Sequence, residues 1–140
     1  MIICLDYGER YVGVSMTDYE EKTALRHSTI DQKSRDAIRV IKNLIEKEEI
    51  DRILVGVPIS LSGNETAQTR VSLEFMEKMR QELGGEVEVE AVDETLTSVE
   101  AERHIRQEGG KPNEAHAEAA RIMLEDYLRK IKKTENAGKY

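Results

Sequence analysis

The chain opens on an unbroken apolar run, Met1 to Leu5, that closes on Asp6, and the next residues, Tyr7, Gly8, Glu9 and Arg10, have the composition of a tight turn. From Tyr11 to Met16 apolar and small residues alternate loosely, which predicts a hairpin, and Thr23 to Ile30 predicts a third strand of the same antiparallel meander. The period then changes. Ala37, Ile38, Val40, Ile41, Leu44 and Ile45 recur at helical spacing with Lys and Glu opposite, predicting a helix capped by Ser34 and ending near Glu49. Arg52 to Val57 is apolar without alternation, as in a strand covered on both faces, and Pro58 ends it. A loop from Ile59 to Glu65 leads, with Asn64 as cap, into a helix carrying Leu73, Met76 and Leu83, which Gly84 and Gly85 stop. Glu86 to Val92 alternates acid and apolar residues strictly, the mark of a strand with one wet face. Thr97 and Glu100 stand at capping-box spacing for a helix to about Gln107, and Asn113 caps a last helix through Ala119, Ile122, Met123, Tyr127 and Ile131.

The order is three strands, helix, strand, helix, strand and two helices. It predicts an α/β fold: a five-stranded mixed sheet, an antiparallel three-strand meander plus two parallel strands, with helices on both faces. At 140 residues the chain has the size of one domain, placed at residues 1–133 with a frayed tail at 134–140. No apolar run is long enough for a signal peptide or a spanning helix, so a soluble, cytoplasmic protein is expected, with no membrane partner. The single cysteine, Cys4, excludes an internal disulfide and reads as an inert core residue. Charged residues make up 35% of a chain without Trp, a composition resembling heat-adapted proteins. The net charge of -7 runs against phosphate binding, but the charge is uneven: Arg129, Lys130, Lys132 and Lys133 crowd one end, acids crowd Glu82 to Glu102, and a divalent-cation site needs local carboxylates.

In such a sheet, ligands collect beyond the carboxyl ends of the parallel strands. The first strand ends at Asp6, the fourth at Gly56 to Pro58, and the fifth at Asp93 and Glu94. If the first and fifth strands run parallel, Asp6 and Glu94 emerge at one edge, where two carboxylates suit a Mg²⁺ ion completed by water and phosphate oxygens. Acids after strands also cap turns, and that reading stays open for each of them. Gly8 permits a turn conformation that other residues resist, and Gly13 leaves room for a close neighbour.

Three blocks carry a resemblance: Asp6-Tyr7-Gly8-Glu9-Arg10-Tyr11-Val12-Gly13-Val14; Val55-Gly56-Val57-Pro58 with its Ser-Gly-Asn loop; and Asp93-Glu94-Thr95-Leu96-Thr97-Ser98-Val99-Glu100-Ala101. Together, in this order and over nearly the whole chain, they resemble the YqgF/RuvX family, bacterial proteins described as Holliday junction resolvases and implicated in maturing the 5′ end of pre-16S ribosomal RNA. The resemblance implies a ribonuclease H-like fold and a nuclease that uses Mg²⁺ or Mn²⁺. It also implies a nucleic-acid partner, pre-rRNA or branched DNA, with the ribosomal small-subunit precursor as a candidate. By match of motif, Asp6 becomes the central metal ligand and Glu94 the second carboxylate, while Asp93 either assists or only holds the turn.

There are two departures. Thr95 stands where the family usually has Arg, and His116 stands where a carboxylate is expected in the last helix. Histidine can ligate a metal through a neutral imidazole nitrogen, and the lost negative charge would favour Mn²⁺ over Mg²⁺. The expected catalytic set is thus Asp6, Glu94, His116 and Asp93, and the metal set Asp6, Glu94 and His116, with Glu118 and Glu114 near enough to substitute. Arg10, Arg70, Arg103 and Lys111 are candidate phosphate contacts, and Ser60 and Asn64 candidate loop donors, although each also reads as ordinary surface. Two other readings stand beside the nuclease: a catalytically idle nucleic-acid or ribosome-binding module, and an actin-like phosphate-binding domain, which would need a second such domain. Resolving a symmetric junction takes two active sites, so a homodimer would suit DNA and a monomer RNA.

Overall fold

A computed structural model describes residues 1–58, 66–95 and 97–137. Strands β1 (Ile2–Tyr7), β2 (Tyr11–Thr17) and β3 (Ala24–Asp31) form the expected meander, and β4 (Arg52–Val57) and β5 (Glu88–Asp93) follow. The sheet order is β3-β2-β1-β4-β5. β1 pairs antiparallel with β2 and parallel with β4, which pairs parallel with β5. The condition for bringing Asp6 and Glu94 to one edge is therefore met.

Among the described residues, four α-helices complete the fold: α1 (Ala37–Glu48), α2 (Ala67–Leu83), α3 (Thr97–Glu108) and α4 (Ala115–Ala137). Side chains alternate across a strand, and β1 divides its apolar residues accordingly. Ile3 and Leu5 face a core shared with Ile38 and Ile41 of α1 and with Phe75, Met76 and Met79 of α2. Ile2 and Cys4 face the other way, toward Met123, Leu124 and Leu128 of α4. Asp6 continues that second series, so its carboxylate belongs to the α4 face. α3 lies outside α4, joined to it through Ala101, Ala119 and Ile122. Burial and the neighbouring Asp6 push the Cys4 thiol far up, so it stays protonated, as an inert core residue should.

Several element starts differ from expectation. Asp36, not Ser34, caps α1 by accepting a hydrogen bond from the Ile38 N–H, because Ser34 is drawn into the turn that follows Asp31. Thr66 caps α2 in a reciprocal box with Thr69, whose hydroxyl also donates to the Pro58 carbonyl; the expected cap Asn64 lies outside the described residues. The Thr97 hydroxyl donates back to the Glu94 carbonyl instead of capping α3. Asn113 sits inside a 3₁₀ turn, Pro112–Glu114, where the ring of Pro112 fixes a tighter entry into α4. α4 itself runs to Ala137, past residue 133.

The close fit of α4 to the sheet depends on small residues. A Cβ on Gly13 would lie 2.0 Å from the His116 carbonyl carbon and 2.4 Å from the Ala117 nitrogen. Two residues on, the buried Ser15 hydroxyl donates to the Ala120 carbonyl at 2.8 Å. Helix backbone and strand backbone thus touch with no side chain between them. Gly13→Ala should lower the free energy of unfolding by on the order of 3 kcal/mol, because the helix must shift to admit a methyl group. Val99→Ala, at a residue 68% exposed, should change it by less than about 0.5 kcal/mol. Equal urea midpoints for the two variants would rule out the close approach.

Candidate active site

The pairing of β4 with both β1 and β5 sets the site. Leu5 is in register with Val55, and Val57 with Asp93, so Asp6 and Glu94 leave the sheet at the same edge. Glu94 is pinned on both sides. Its N–H donates to the Val57 carbonyl at 3.2 Å, and its own carbonyl accepts from the Thr97 N–H and hydroxyl at 3.2 and 2.7 Å. The space for its carboxylate exists because residue 56 is glycine: a Cβ there would stand 3.0 Å from Glu94 Oε2 and 2.6 Å from Met123 Sδ.

Asp6 is buried, and its carboxylate meets two partners. Glu94 is one, in a carboxyl-carboxylate hydrogen bond. Burial, the Asp6 charge, this hydrogen bond and nearby Asp93 push the Glu94 pKa up to about 8. His116 is the other, with Nδ1 3.1 Å from Asp6 Oδ2. That hydrogen bond raises the imidazole pKa against the opposing effect of burial, with smaller help from the Asp6 and Glu102 charges. His116 reaches Asp6 because Gly13 lets the first turn of α4 rest on β2, next to β1. The Tyr11 ring stands 6.0 Å from the imidazole, and the Arg10 guanidinium lies 4.9 Å above Tyr11.

The remaining expected residues separate into those near this edge and those elsewhere. Asp93 is exposed, and its Oδ1 accepts from the Thr95 N–H at 2.8 Å and the Thr95 hydroxyl at 2.6 Å, which is the turn-holding role. Arg10 is close, but its guanidinium also pairs with Asp31 at 3.4 Å. Arg70 lies exposed in the first turns of α2, Arg103 exposed on α3, and Lys111 exposed before the 3₁₀ turn. Ser60 and Asn64 lie outside the described residues.

Glu118 is not available as a substitute for His116. It is buried on another side of α4, where Arg121 donates to both its oxygens at 2.6 and 2.9 Å and His104 Nδ1 lies 2.6 Å away. Burial alone would raise its pKa; the bonds to Arg121 and His104, with Arg26 nearby, outweigh that and hold it low. Glu114 is exposed and lies over Gly110. Gly8 also differs from expectation. It has no positive φ, and what it supplies is room, since a Cβ would meet the Tyr11 carbonyl at 2.7 Å and His116 Cε1 at 3.1 Å. The sequence marks Gly56 as the end of a strand without giving it a role in the site, and Tyr11 enters only within a block that carries the family resemblance.

Among the described residues, no three His, Cys, Asp or Glu side chains converge as a ready-made metal cage. What the edge offers is a carboxylate pair, the donor set that Mg²⁺ accepts when water and phosphate oxygens complete its shell. Burial raises the Glu94 pKa most, and the repulsion from Asp6 that adds to it is what a cation at this position would relieve. In this sense the residues present fit a divalent ion, with His116 already committed to Asp6.

Comparison with known proteins agrees with this architecture. The chain is 35% identical over 133 residues to a protein of Chloroflexus aurantiacus, covering 91% of this chain and 86% of that one. It is 33% identical over 132 residues to a protein of Syntrophus aciditrophicus, covering 91% and 87%. Both relatives carry the name of a pre-16S rRNA nuclease. Among solved structures, Thermus thermophilus RuvC superposes with a TM-score of 0.53 at 16% identity, over 95% of this chain and 96% of that one. The Fowlpox virus resolvase, solved with substrate Holliday junction DNA, superposes with a TM-score of 0.59 at 9% identity, over 93% and 97%. At those identities the likeness is one of fold, and the fold is ribonuclease H-like. Residues 1–130 match the sequence model of the RuvX family, described as Holliday junction resolvase. The chain therefore belongs to the RuvX family of Holliday junction resolvases and is, by that membership, a nuclease.

Proposed function

We propose that this nuclease is a divalent-metal-dependent endonuclease of the cytoplasm that matures the 5′ end of pre-16S rRNA on the small-subunit precursor. The observation that carries the metal-dependent part is the pair of buried-edge carboxylates, Asp6 and Glu94, held in contact at the ends of two parallel strands. The rRNA substrate is favoured over branched DNA because the relatives above 30% identity carry that name, whereas the likeness to junction-binding structures is one of fold.

A bound Mg²⁺ or Mn²⁺ would polarise the scissile phosphodiester and lower the pKa of the attacking water. Asp6 and Glu94 would hold it, and Asp6 would be shared with His116. His116, protonated more readily than a free imidazole, neutralises part of the Asp6 charge and can carry a proton at Nδ1 or Nε2 near the reacting phosphate. Asp93 and Thr95 fix the turn from which Glu94 projects. The second reading, an idle nucleic-acid or ribosome-binding module, draws on the same His116–Asp6 pair, since an imidazole already bound to Asp6 competes with a metal for that carboxylate.

Asp6→Asn should reduce Mn²⁺-dependent cleavage of structured RNA by on the order of 100-fold or more, as expected when a group aimed at developing charge is lost. Full retained cleavage would sink the nuclease mechanism drawn here. Mn²⁺ titration by calorimetry separates the second reading: an idle module should give no heat that depends on Asp6. A pH series tests the carboxylate pair. Because Glu94 binds its proton more tightly in the folded chain than in the unfolded one, the metal-free protein should lose stability as pH rises from about 4.5 to about 8. Glu94→Gln should remove that loss in denaturant midpoints. An identical pH dependence in wild type and variant would contradict the assignment.

A further inference from the structure

On the opposite face of the sheet from Asp6, the same strand end borders a cleft that the metal site does not use. Its volume is about 440 Å³, within the usual range for small-ligand sites. Tyr7 and Phe75 line it, their rings stacked at 4.1 Å, and so does Val71, a valine left 39% exposed. Arg35 and Lys78 also line it, and among the described residues neither has an ion-pair partner. Two carboxylates belong to the same lining. Asp36 is engaged in capping α1, and Glu74 is exposed. On the side nearest the site, the Gln32 amide donates to the Gly8 and Glu9 carbonyls at 2.8 and 3.1 Å, and outside the lining the Gln68 amide donates to the Tyr7 carbonyl at 3.0 Å.

We infer that this cleft is a subsite for an unpaired nucleotide of the substrate strand, its base against the Tyr7 and Phe75 wall and its phosphate at Arg35 and Lys78. The inference rests on the nuclease reading and adds to it a preference for single-stranded nucleic acid beside the cut. The chemistry is that of a sequence-tolerant strand binder, in which aromatic side chains take the face of a base and cations track the backbone. A base stacked and paired in a duplex cannot enter such a cleft without leaving its stack, so unpaired segments are selected. Position supports the assignment. Tyr7 follows Asp6 directly and points to the other face, so a strand crossing the carboxyl edge of β1 meets the carboxylates on one side and the cleft on the other.

The test is fluorescence anisotropy of a short labelled single-stranded RNA, and of the same sequence as a duplex, in EDTA so that no cleavage occurs. Wild type should bind the single strand more tightly than the duplex. Arg35→Gln combined with Lys78→Gln, both at exposed positions, should weaken single-strand binding about tenfold and lower the salt dependence by about 0.7 per cation lost. Glu74→Gln should tighten binding by removing a charge that repels phosphate. Tyr7→Leu should weaken single-strand binding on the order of tenfold and leave duplex binding unchanged. If wild type binds the single strand and the double variant binds it with equal affinity and salt slope, the cleft assignment is overturned and the nuclease reading stands. If wild type binds neither form in EDTA, the cleft assignment is overturned, and the nuclease reading is decided separately by the Asp6→Asn cleavage assay.

Discussion

The close contact between the first turn of α4 and β2 governs much of what this molecule can do. At Gly13 the helix backbone occupies the volume a side chain would take, and Ser15 ties the next turn to the strand through the Ala120 carbonyl. β2 is the direct neighbour of β1, with Gly13 in register with Asp6. The contact therefore fixes the height of the helix above the sheet, and with it the 3.1 Å separation of His116 from Asp6. Packed backbones of this kind have few alternative arrangements, because any sideways shift opens a void or forces a clash. Gly56 repeats the device one strand further on, where Met123 and the Glu94 carboxylate share the space above it.

Electrostatically the edge is arranged against itself. Two carboxylates are held side by side, and burial of Glu94 together with the Asp6 charge pushes its pKa up to about 8. Such strain persists only where the surrounding structure imposes it, here through the hydrogen bond that the Glu94 N–H donates to the Val57 carbonyl and the one its carbonyl accepts from the Thr97 N–H. The nearby cations do not cancel the charge. Arg10 is stacked on Tyr11 and paired with Asp31, and Thr95 occupies the place where the family usually has an arginine. Among the described residues, His116 is the basic side chain paired directly with Asp6. Elsewhere on α4 the opposite solution is found: Glu118 is fully buried yet stays ionised, since Arg121, Arg26 and His104 converge on it and bind β3, α3 and α4 together. The same helix thus carries one acid matched to cations and one imidazole placed at an unmatched pair of acids.

The two sides of β1 divide the work of its last residues. Asp6 turns to the α4 face and Tyr7 to the face of α1 and α2, an alternation that follows from strand geometry alone. A substrate strand lying across this edge would meet charge chemistry on one side and, on the other, an aromatic cleft where Arg35 and Lys78 stand beside Asp36 and Glu74. The chain's net charge of -7 is compatible with this, because binding of a backbone depends on where a few cations stand more than on their total.

How much of this was legible in the chain varies with the range of the interactions involved. The elements and their order follow from local periodicity, and the mixed sheet from the rule that strand-helix-strand units run parallel. Asp6 and Glu94 stand at strand ends in the sequence, but their meeting at one edge requires β1 and β5 to run parallel, which the sheet order supplies. Caps were less legible: Ser34, Asn64 and Asn113 all have good capping chemistry, and Asp36, Thr66 and Pro112 hold the actual starts because turn and loop contacts decide among neighbouring candidates. The withdrawal of Glu118 into an ion cluster with Arg26 and His104, and the packing of His116 over Gly8, depend on partners far along the chain, which no local pattern encodes, whereas Asp93 is engaged by its near neighbour Thr95. Sequence by itself determined which residues end the strands and which chemistry they carry. Tertiary structure alone decided which of them meet, because a helix backbone can touch a strand only where two distant segments are both small enough to let it.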